Sequence, residues 1–561
     1  MAKQLAIYSP VGSMALPDQA FGKDVANLGL YRALARYGGF ERIDIQTAQP
    51  VDAAHLAEGL LLKQQLRAGL AVPAIARRSL LDLQGALDAG LLLRGQPYLA
   101  ELAWLRRGFC GDGAYSLVGL IHTLAPPVIR EQIGAVLESP VRPWDALICT
   151  SPAVRQGVET MLAAWQEHLA RELGARQFSL PQLPIIPLAV DVPAIRAQAQ
   201  APGARDSLRQ ELGLAAEDLM ILWVGRLSYF EKAFPQPMFA AVEQAARRTG
   251  KRLHFALVGW FANGQEDLEL FREAARVHAP NVVISVLDGR KSELLARCWA
   301  AADVFLSLVD NAQETFGLAP VEAMAAGLPV VVSDWNGYRF TVKDQQEGFL
   351  IPTLAAPAGA IAEELAAAHQ LGLQSYQNYV GAAAQHTAVA IGLAAEALVK
   401  LVESPELRRR MGEAGQRTAA QRFDWPVVIA QYLALFAELE SLRTCQAPAL
   451  VPGPGARASH PLRGNPVADF AHFASHQLAP DTCLLLGPDP AGFPPKTALD
   501  QAYGPCRASQ EELQQALAIV SAEPGLTVKR LLAGFAAERQ DALQMGLVWM
   551  IKIGILDWIK T

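Results

Sequence analysis

Two hydrophobic periodicities alternate along most of this chain. Short apolar, β-branched runs are separated by longer stretches whose apolar residues recur at helical spacing, the signature of an α/β protein built on parallel sheets. In the first part the pattern predicts strands at Gln4 to Tyr8, Ile43 to Gln46, Leu117 to His122, Ala146 to Thr150 and Gln182 to Pro187, with a helix over Asp24 to Tyr37. The Ala/Leu-rich stretch from about 52 to 107 reads as helical, with little strand signal. A charged segment broken by Gly and Pro, Pro202 to Gly213, marks a boundary. A second series follows it, at Met220 to Val224, Leu253 to Val258, Val282 to Val286, Val304 to Leu308, Pro329 to Ser333 and Gly348 to Ile351. A long helix near Trp425 to Leu442 closes that series. Cys445 to Pro466 is rich in Pro and Gly and reads as linker. Three helices are expected over Ser509 to Thr561, separated by Glu523-Pro524-Gly525 and Gly534.

The expected organisation is therefore a Rossmann-like domain over 1–205, a second over 206–424, a closing helix over 425–444, a linker or irregular region over 445–508, and a small helical, winged-helix-like domain over 509–561. Length agrees, since 561 residues correspond to about three or four folding units. Composition narrows the function classes. Lys and Arg total 49 against 55 Asp and Glu, a net charge of -6 that disfavours nucleic-acid binding. The most apolar segment, Met545 to Trp558, carries Lys552 and Asp557, so no span of a membrane is expected. The N-terminus runs into a strand-like segment, so no signal peptide is expected, and the six cysteines are scattered with no CxxC. The expectation is a cytoplasmic enzyme of several domains.

The most informative stretch is NAQETFGLAPVEAMAAGLP, beginning at Asn311. It follows a strand, so it lies at a carboxyl end, where ligands bind in α/β sheets. With a helix starting near Leu318, Glu314 falls in the preceding loop and Glu322 about one turn inside. Two carboxylates so placed can address different hydroxyls of a polyhydroxylated ligand. The amides of Thr315, Phe316 and Gly317 form a helix N-terminus suited to an anion or hydroxyl. The same spacing also fits a capping glutamate and a solvent-exposed one. Val224-Gly225-Arg226-Leu227 with Glu231-Lys232 places two cations in a loop after a strand. Arg can grip phosphate oxygens bidentately while Lys supplies a point charge, which suits a diphosphate; a solvated basic loop is the plainer alternative.

Taken together, VGRL…EK, DVFLSL…ETFGLAPVEAMAAGLPVVVSD and GFLIP resemble retaining glycosyltransferase family 4, over the second half to about residue 440. WDALICTSPAV and IPLAVD extend the likeness more loosely into the first half. The resemblance implies the GT-B fold, two Rossmann-like domains around a cleft, and metal-free transfer of a sugar from a nucleotide-diphospho-sugar with retention. It implies no cofactor beyond that co-substrate. On it, Arg226 and Lys232 hold the donor diphosphate, and Glu314 contacts the donor sugar with the backbone of Phe316, Gly317 and Leu318. Glu322 grips the ribose, the loop after Val282 to Val286 with Leu287 receives the base, and His122 stands beside the transferred sugar. A structural histidine at a strand end is the alternative for His122. No Asp-x-Asp, the usual metal–diphosphate clamp, occurs in the chain.

The family's Gly-Gly pair after the first strand is missing here. Gly12, or Gly22 at the opening of the first helix, is expected to take its place. Trp335 and Tyr338 either line the pocket or pack in the cleft. A helical stretch interposed at about 371–391 carries no functional signal. In the last domain, five Lys/Arg face six Asp/Glu, which favours a protein contact or self-association over DNA. Its Met545, Val548, Trp549 and Ile553 are expected to form its core. Other readings are a different GT-B enzyme such as a sugar synthase or an epimerase, and a catalytically silent sugar-binding scaffold. A Rossmann dehydrogenase is disfavoured because no GxGxxG follows a first strand. The hydroxyl acceptor (saccharide, lipid-linked or protein) is left open. Arg77-Arg78 and Arg106-Arg107 are the positions that could touch an anionic membrane surface, a contact not favoured.

Overall fold

In the computed structural model the apolar runs assemble into two six-stranded sheets. Residues 3–10, 14, 22–67, 69, 71–447, 460–493 and 497–559 are described. The first sheet contains β1 (Gln4–Tyr8), β2 (Arg42–Thr47), β3 (Ala74–Ser79), β4 (Leu91–Arg94), β5 (Ser116–Ile121) and β6 (Ala146–Cys149), in the order β3-β2-β1-β4-β5-β6. The second contains β7 (Leu219–Val224), β8 (Leu253–Gly259), β9 (Val283–Asp288), β10 (Val304–Ser307), β11 (Val330–Ser333) and β12 (Gly348–Ile351), in the order β12-β11-β10-β7-β8-β9. All these pairings are parallel. Counted from its own first strand, each half has the order 3-2-1-4-5-6 of a doubly wound sheet. The topological switch points fall between β1 and β4 and between β7 and β10, and a crevice opens there at the carboxyl ends of the strands.

Two of these strands, β3 and β4, lie in the stretch read from sequence as helical. β4 is the neighbour of both β1 and β5, and all four of its residues are buried. A short Leu run buried on both faces shows no alternation, and Leu favours helices, so neither period nor propensity marks it. The expected strand at Gln182 to Pro187 is reduced to single bridges, Ala146↔Gln182 and Cys149↔Ile185. Pro181, Pro184 and Pro187 remove the donors a continuous ladder requires.

The chain crosses between the halves near Val190 and again near Phe423, where the Val190 amide donates to the Phe423 carbonyl at 2.9 Å. The helix Trp425–Gln446 then returns to the first half. Val428, Ile429, Tyr432, Leu435 and Leu439 are buried in one cluster with Leu28, Leu30, Tyr31 and Leu34. The arginine pairs weighed as membrane contacts are engaged by protein instead. Arg106 is fully buried in a bidentate pair with Asp145, at 2.7 and 2.9 Å, and Arg107 pairs with Asp112. Arg78 pairs with Asp44 and Asp82, and Arg77 donates to Thr47. No helix among the described residues is long and apolar enough to cross a membrane.

Between β12 and the helix Ile391–Glu403 the chain makes an excursion. Its base is an antiparallel pair, β13 (Thr353–Ala355) with β14 (Thr387–Val389), and it carries the helices Ala360–Gln370 and Tyr376–Gln385.

Residues 459–561 form a separate unit. Part of the region expected to be linker belongs to it: β15 (Cys483–Leu486) is the middle strand of an antiparallel sheet with β16 (Leu526–Thr527) and β17 (Leu556–Ile559). Residues 448–459 lie outside the described residues. The three expected helices are present as Gln510–Ala522, Val528–Leu532 and Gln540–Lys552. The core stripe of the last helix differs from the expected one. Leu543, Leu547 and Met550 are buried, whereas Met545 and Val548 are exposed by 45% and 49%. That helix is apolar nearly all round, so its sequence holds two stripes, and packing selects between them.

Candidate functional site

The switch point of the second half explains which loops meet. β7 and β10 are adjacent, so the loop leaving β7, with Arg226 and Lys232, runs beside the loop leaving β10, with Glu314. The two loops are joined directly: Asn311 Nδ2 donates to the Phe230 carbonyl at 2.7 Å, and Lys232 Nζ lies 3.1 Å from Glu314 Oε2. Arg226 is ion-paired with Glu231, and their side chains are only 10% and 8% exposed. Burial lowers the Arg226 pKa, and the charge of Glu231 opposes that shift. Both cations expected to bind phosphate thus have carboxylate partners.

The other Glu314 oxygen, Oε1, accepts from the amides of Thr315 and Phe316 at 3.2 and 3.3 Å. A carboxylate of the chain occupies the amide nest that the sequence suggested for an anion. Gly317 ends that loop with φ +94°, and a Cβ there would stand 2.1 Å from the Tyr338 ring. Tyr338 is buried with its hydroxyl 3.0 Å from Ser307 Oγ, and Trp335 Nε1 donates to the Asn311 carbonyl at 3.0 Å. These aromatics therefore hold the loop in shape. Phe316 is buried against Phe423, and Leu318 begins the helix Leu318–Ala326.

Glu322 lies in the second turn of that helix, half-buried and without a hydrogen-bond or ion-pair partner among the described residues. Burial pushes its carboxyl up to about 7. Leu287 belongs to β9, which runs on to Asp288, rather than to a loop; the turn begins at Gly289, whose amide donates to the Gly259 carbonyl. Gly22 is the first residue of the helix Gly22–Tyr37, with open space where a Cβ would be. Gly12 lies outside the described residues.

His122 follows β5 in the first half, and its carbonyl accepts from the Thr315 hydroxyl at 2.7 Å. That contact joins the carboxyl end of one sheet to the carboxyl end of the other, next to Glu314. The imidazole Nε2 lies 2.9 Å from Asn27 Oδ1, and Asn27 Nδ2 donates to the Gly95 carbonyl at 2.9 Å. With Asn27 so oriented, Nε2 carries the proton. Burial drives the His122 pKa down to about 4, with a hydrogen bond toward Gly95 opposing, so the ring is neutral near pH 7.

Three groups near these loops were not singled out from sequence. Asn27 positions His122 from a distant helix, and nothing local signals that. Asp310, in Leu308-Val309-Asp310-Asn311, is an acid directly after a strand, and that placement could have marked it. It is 2% exposed; Oδ2 accepts from the Phe234 amide at 3.3 Å, and Oδ1 has no partner among the described residues. Burial raises it to about 8. Tyr376, from the excursion, donates to Gln313 Oε1 at 3.1 Å. Among the described residues no group of three or more His, Cys, Asp and Glu is placed to hold a metal ion.

Residues 204–387 match the family of glycosyl transferases group 1. D-inositol 3-phosphate glycosyltransferase of Rhodococcus erythropolis is 29% identical over 255 residues, 45% of this chain and 54% of that protein. The enzyme of the same name from Geodermatophilus obscurus is 33% identical over 162 residues, 27% of this chain and 33% of that protein. The chain thus spans about half the length, or less, of these curated relatives. Anabaena Alr3699/HepE, solved in complex with UDP, aligns with a TM-score of 0.50 at 17% identity, covering 78% of this chain and 100% of that one, a likeness of fold. The matched segment contains β7 to β12 and the paired loops of Arg226, Lys232 and Glu314. Residues 204–387 are accordingly similar to the glycosyl transferases group 1 family, within a chain whose two Rossmann-like halves have the GT-B fold.

Proposed function

We propose that this protein is a retaining glycosyltransferase that moves a sugar from a nucleotide-diphospho-sugar to a hydroxyl acceptor without a metal. The second half takes the donor and the first half the acceptor. The observation that carries this reading is the meeting of Lys232 with Glu314 beside the strand-end His122, through Thr315. The bond from the sugar's anomeric carbon to the diphosphate oxygen breaks, and its electron pair stays on the diphosphate. The acceptor oxygen bonds to the same carbon on the same face, and its proton passes to the departing diphosphate. Negative charge grows on that diphosphate, so Arg226 and Lys232 stabilise the transition state more than the ground state. To reach them, the phosphates displace the carboxylates of Glu231 and Glu314. Glu314, released from Lys232, is free to accept from a donor-sugar hydroxyl, and Glu322 accepts from the ribose. Neutral His122 presents its carbonyl and ring edge to the transferred sugar.

The test is a thermal-shift panel of UDP-, GDP- and ADP-sugars, followed by hydrolysis and transfer assays with the best binder. Stabilisation by one donor, lost in Arg226→Ala, is the expected result. No stabilisation by any donor, with Arg226→Ala indistinguishable from wild type, refutes the reading. Full activity in EDTA and an unchanged anomeric configuration by NMR are expected; an absolute metal requirement or inversion overturns those parts.

A further inference from the structure

The excursion between β12 and the helix Ile391–Glu403 has little core of its own. The helix Ala360–Gln370 buries no residue, and Ile361, Leu371 and Leu373 are all largely exposed. The second helix, Tyr376–Gln385, buries only Val380 and Ala384. A segment with so little buried apolar surface contributes little to folding stability.

The excursion lies against the donor loop. A Cβ on Gly381 would stand 3.0 Å from Phe230 Cβ, so the helix rests directly on the turn between Arg226 and Lys232. Ser375 caps the helix by accepting from the Asn378 amide, which fixes Tyr376 as its first residue. His369 stacks on Tyr379 at 4.9 Å, and its Nδ1 lies 3.0 Å from the Gln374 carbonyl, tying the two helices together. The Tyr376 hydroxyl bonds to Gln313, the residue before Glu314. Arg226 and Glu231 both act on it electrostatically. Tyr376 therefore stands over the loop that holds both cations and the loop that holds Glu314.

We infer that the excursion completes the donor site, with Tyr376 presenting its hydroxyl to the terminal phosphate of a bound nucleoside diphosphate. The inference rests on the glycosyltransferase reading and goes beyond it by assigning a phosphate contact to a segment outside the two sheets. The chemistry suits the position. When the diphosphate displaces Glu231 from Arg226, a neutral donor held over that loop can bond a phosphate oxygen without adding charge. Burial, with the nearby charge of Glu231, keeps the phenol protonated and so a donor. Gln313 holds the hydroxyl in place until the phosphate arrives, so little ordering cost remains at binding.

Isothermal titration of the full-length protein with UDP, GDP and ADP, and with the matching monophosphates, tests this. Tyr376→Phe is expected to weaken the preferred diphosphate about tenfold, in line with the loss of one hydrogen bond to a charged group. Binding of the monophosphate and the melting temperature should stay as in wild type. A merely structural tyrosine would weaken both nucleotides or lower the melting temperature, and either result overturns the inference. Equal diphosphate affinity in Tyr376→Phe and wild type, with Arg226→Ala impaired, overturns this inference alone. No diphosphate binding by wild type overturns the donor reading as well. Gln313→Leu supplies a second measurement: it frees the hydroxyl without removing it, so diphosphate affinity should fall less than in Tyr376→Phe, and an equal or larger fall counts against a direct phosphate contact.

Discussion

Lys232 and Glu314 lie 82 positions apart in the chain, yet Nζ and Oε2 meet at 3.1 Å. They meet because β7 and β10 flank a switch point and their loops leave the same end of the sheet. The pair is partly exposed, so its own contribution to stability is small, about 1 kcal/mol or less. Its value lies in chemistry. Lys232→Ala should leave the melting temperature nearly unchanged while weakening nucleoside-diphosphate binding tenfold or more, roughly 1.5 to 3 kcal/mol for a charge-assisted contact. Titration calorimetry at two salt concentrations checks this, and the wild-type affinity should fall with salt more steeply than that of the variant.

Glu322 has no partner among the described residues, and its carboxyl titrates at about 7. A carboxylate accepts from two ribose hydroxyls, whereas its protonated form must donate one proton. Affinity for the ribonucleotide should therefore rise as pH passes upward through about 7, and Glu322→Gln should remove that rise. The same variant should bind ribo- and 2′-deoxyribonucleotides with nearly equal affinity. Competition binding across pH 6 to 8 reads both effects.

Gly317 and Gly174 both adopt positive φ, at +94° and +66°, but only Gly317 is crowded, by the Tyr338 ring. Gly174→Ala should cost roughly 1 to 2 kcal/mol, the ordinary penalty of left-handed backbone. Gly317→Ala should cost more, about 3 kcal/mol or above, because the ring must also move. Chemical denaturation of the two variants side by side gives the comparison, and Gly317→Ala should also abolish donor binding.

The buried titratable groups set opposite pH slopes. His122 and His254 are both lowered to about 4, chiefly by burial, so each binds more protons unfolded than folded. The stability they confer is complete above their unfolded pKa near 6.5 and is lost as pH falls toward about 4. Asp310 is raised to about 8, so its folded form is neutral while the unfolded chain ionises. Its contribution is greatest below about 4 and declines as pH rises to about 8. Asp310→Asn keeps an acceptor for the Phe234 amide and cannot ionise. Its stability relative to wild type should rise with pH between those values, by at most about 1.4 kcal/mol per unit, and level off above. Melting curves from pH 4 to 9 would show the divergence.

The sequence alone determined the α/β class and most strands of both halves, because β-branched runs ending in turn residues declare themselves locally. The placement of Arg226, Lys232 and Glu314 in the loops that follow β7 and β10 was legible for the same reason, because each comes soon after a strand end. Other features depended on contacts between distant segments. β4 became a central strand because β1 and β5 pair with its two edges while its faces are buried in two separate core clusters, Leu91 and Leu93 in one and Leu92 in the other, which overrides the helical preference of leucine. Arg106 and Arg107 looked like surface charge until Asp145 and Asp112 were brought to them. Asn27 reached His122 across 95 positions, and Tyr376 reached the donor loop from an excursion whose sequence has no distinguishing pattern. Local spacing fixes which face of an element is apolar and which loop carries charge. Partners are chosen only when the sheets close, since burial and pairing energies belong to the assembled fold.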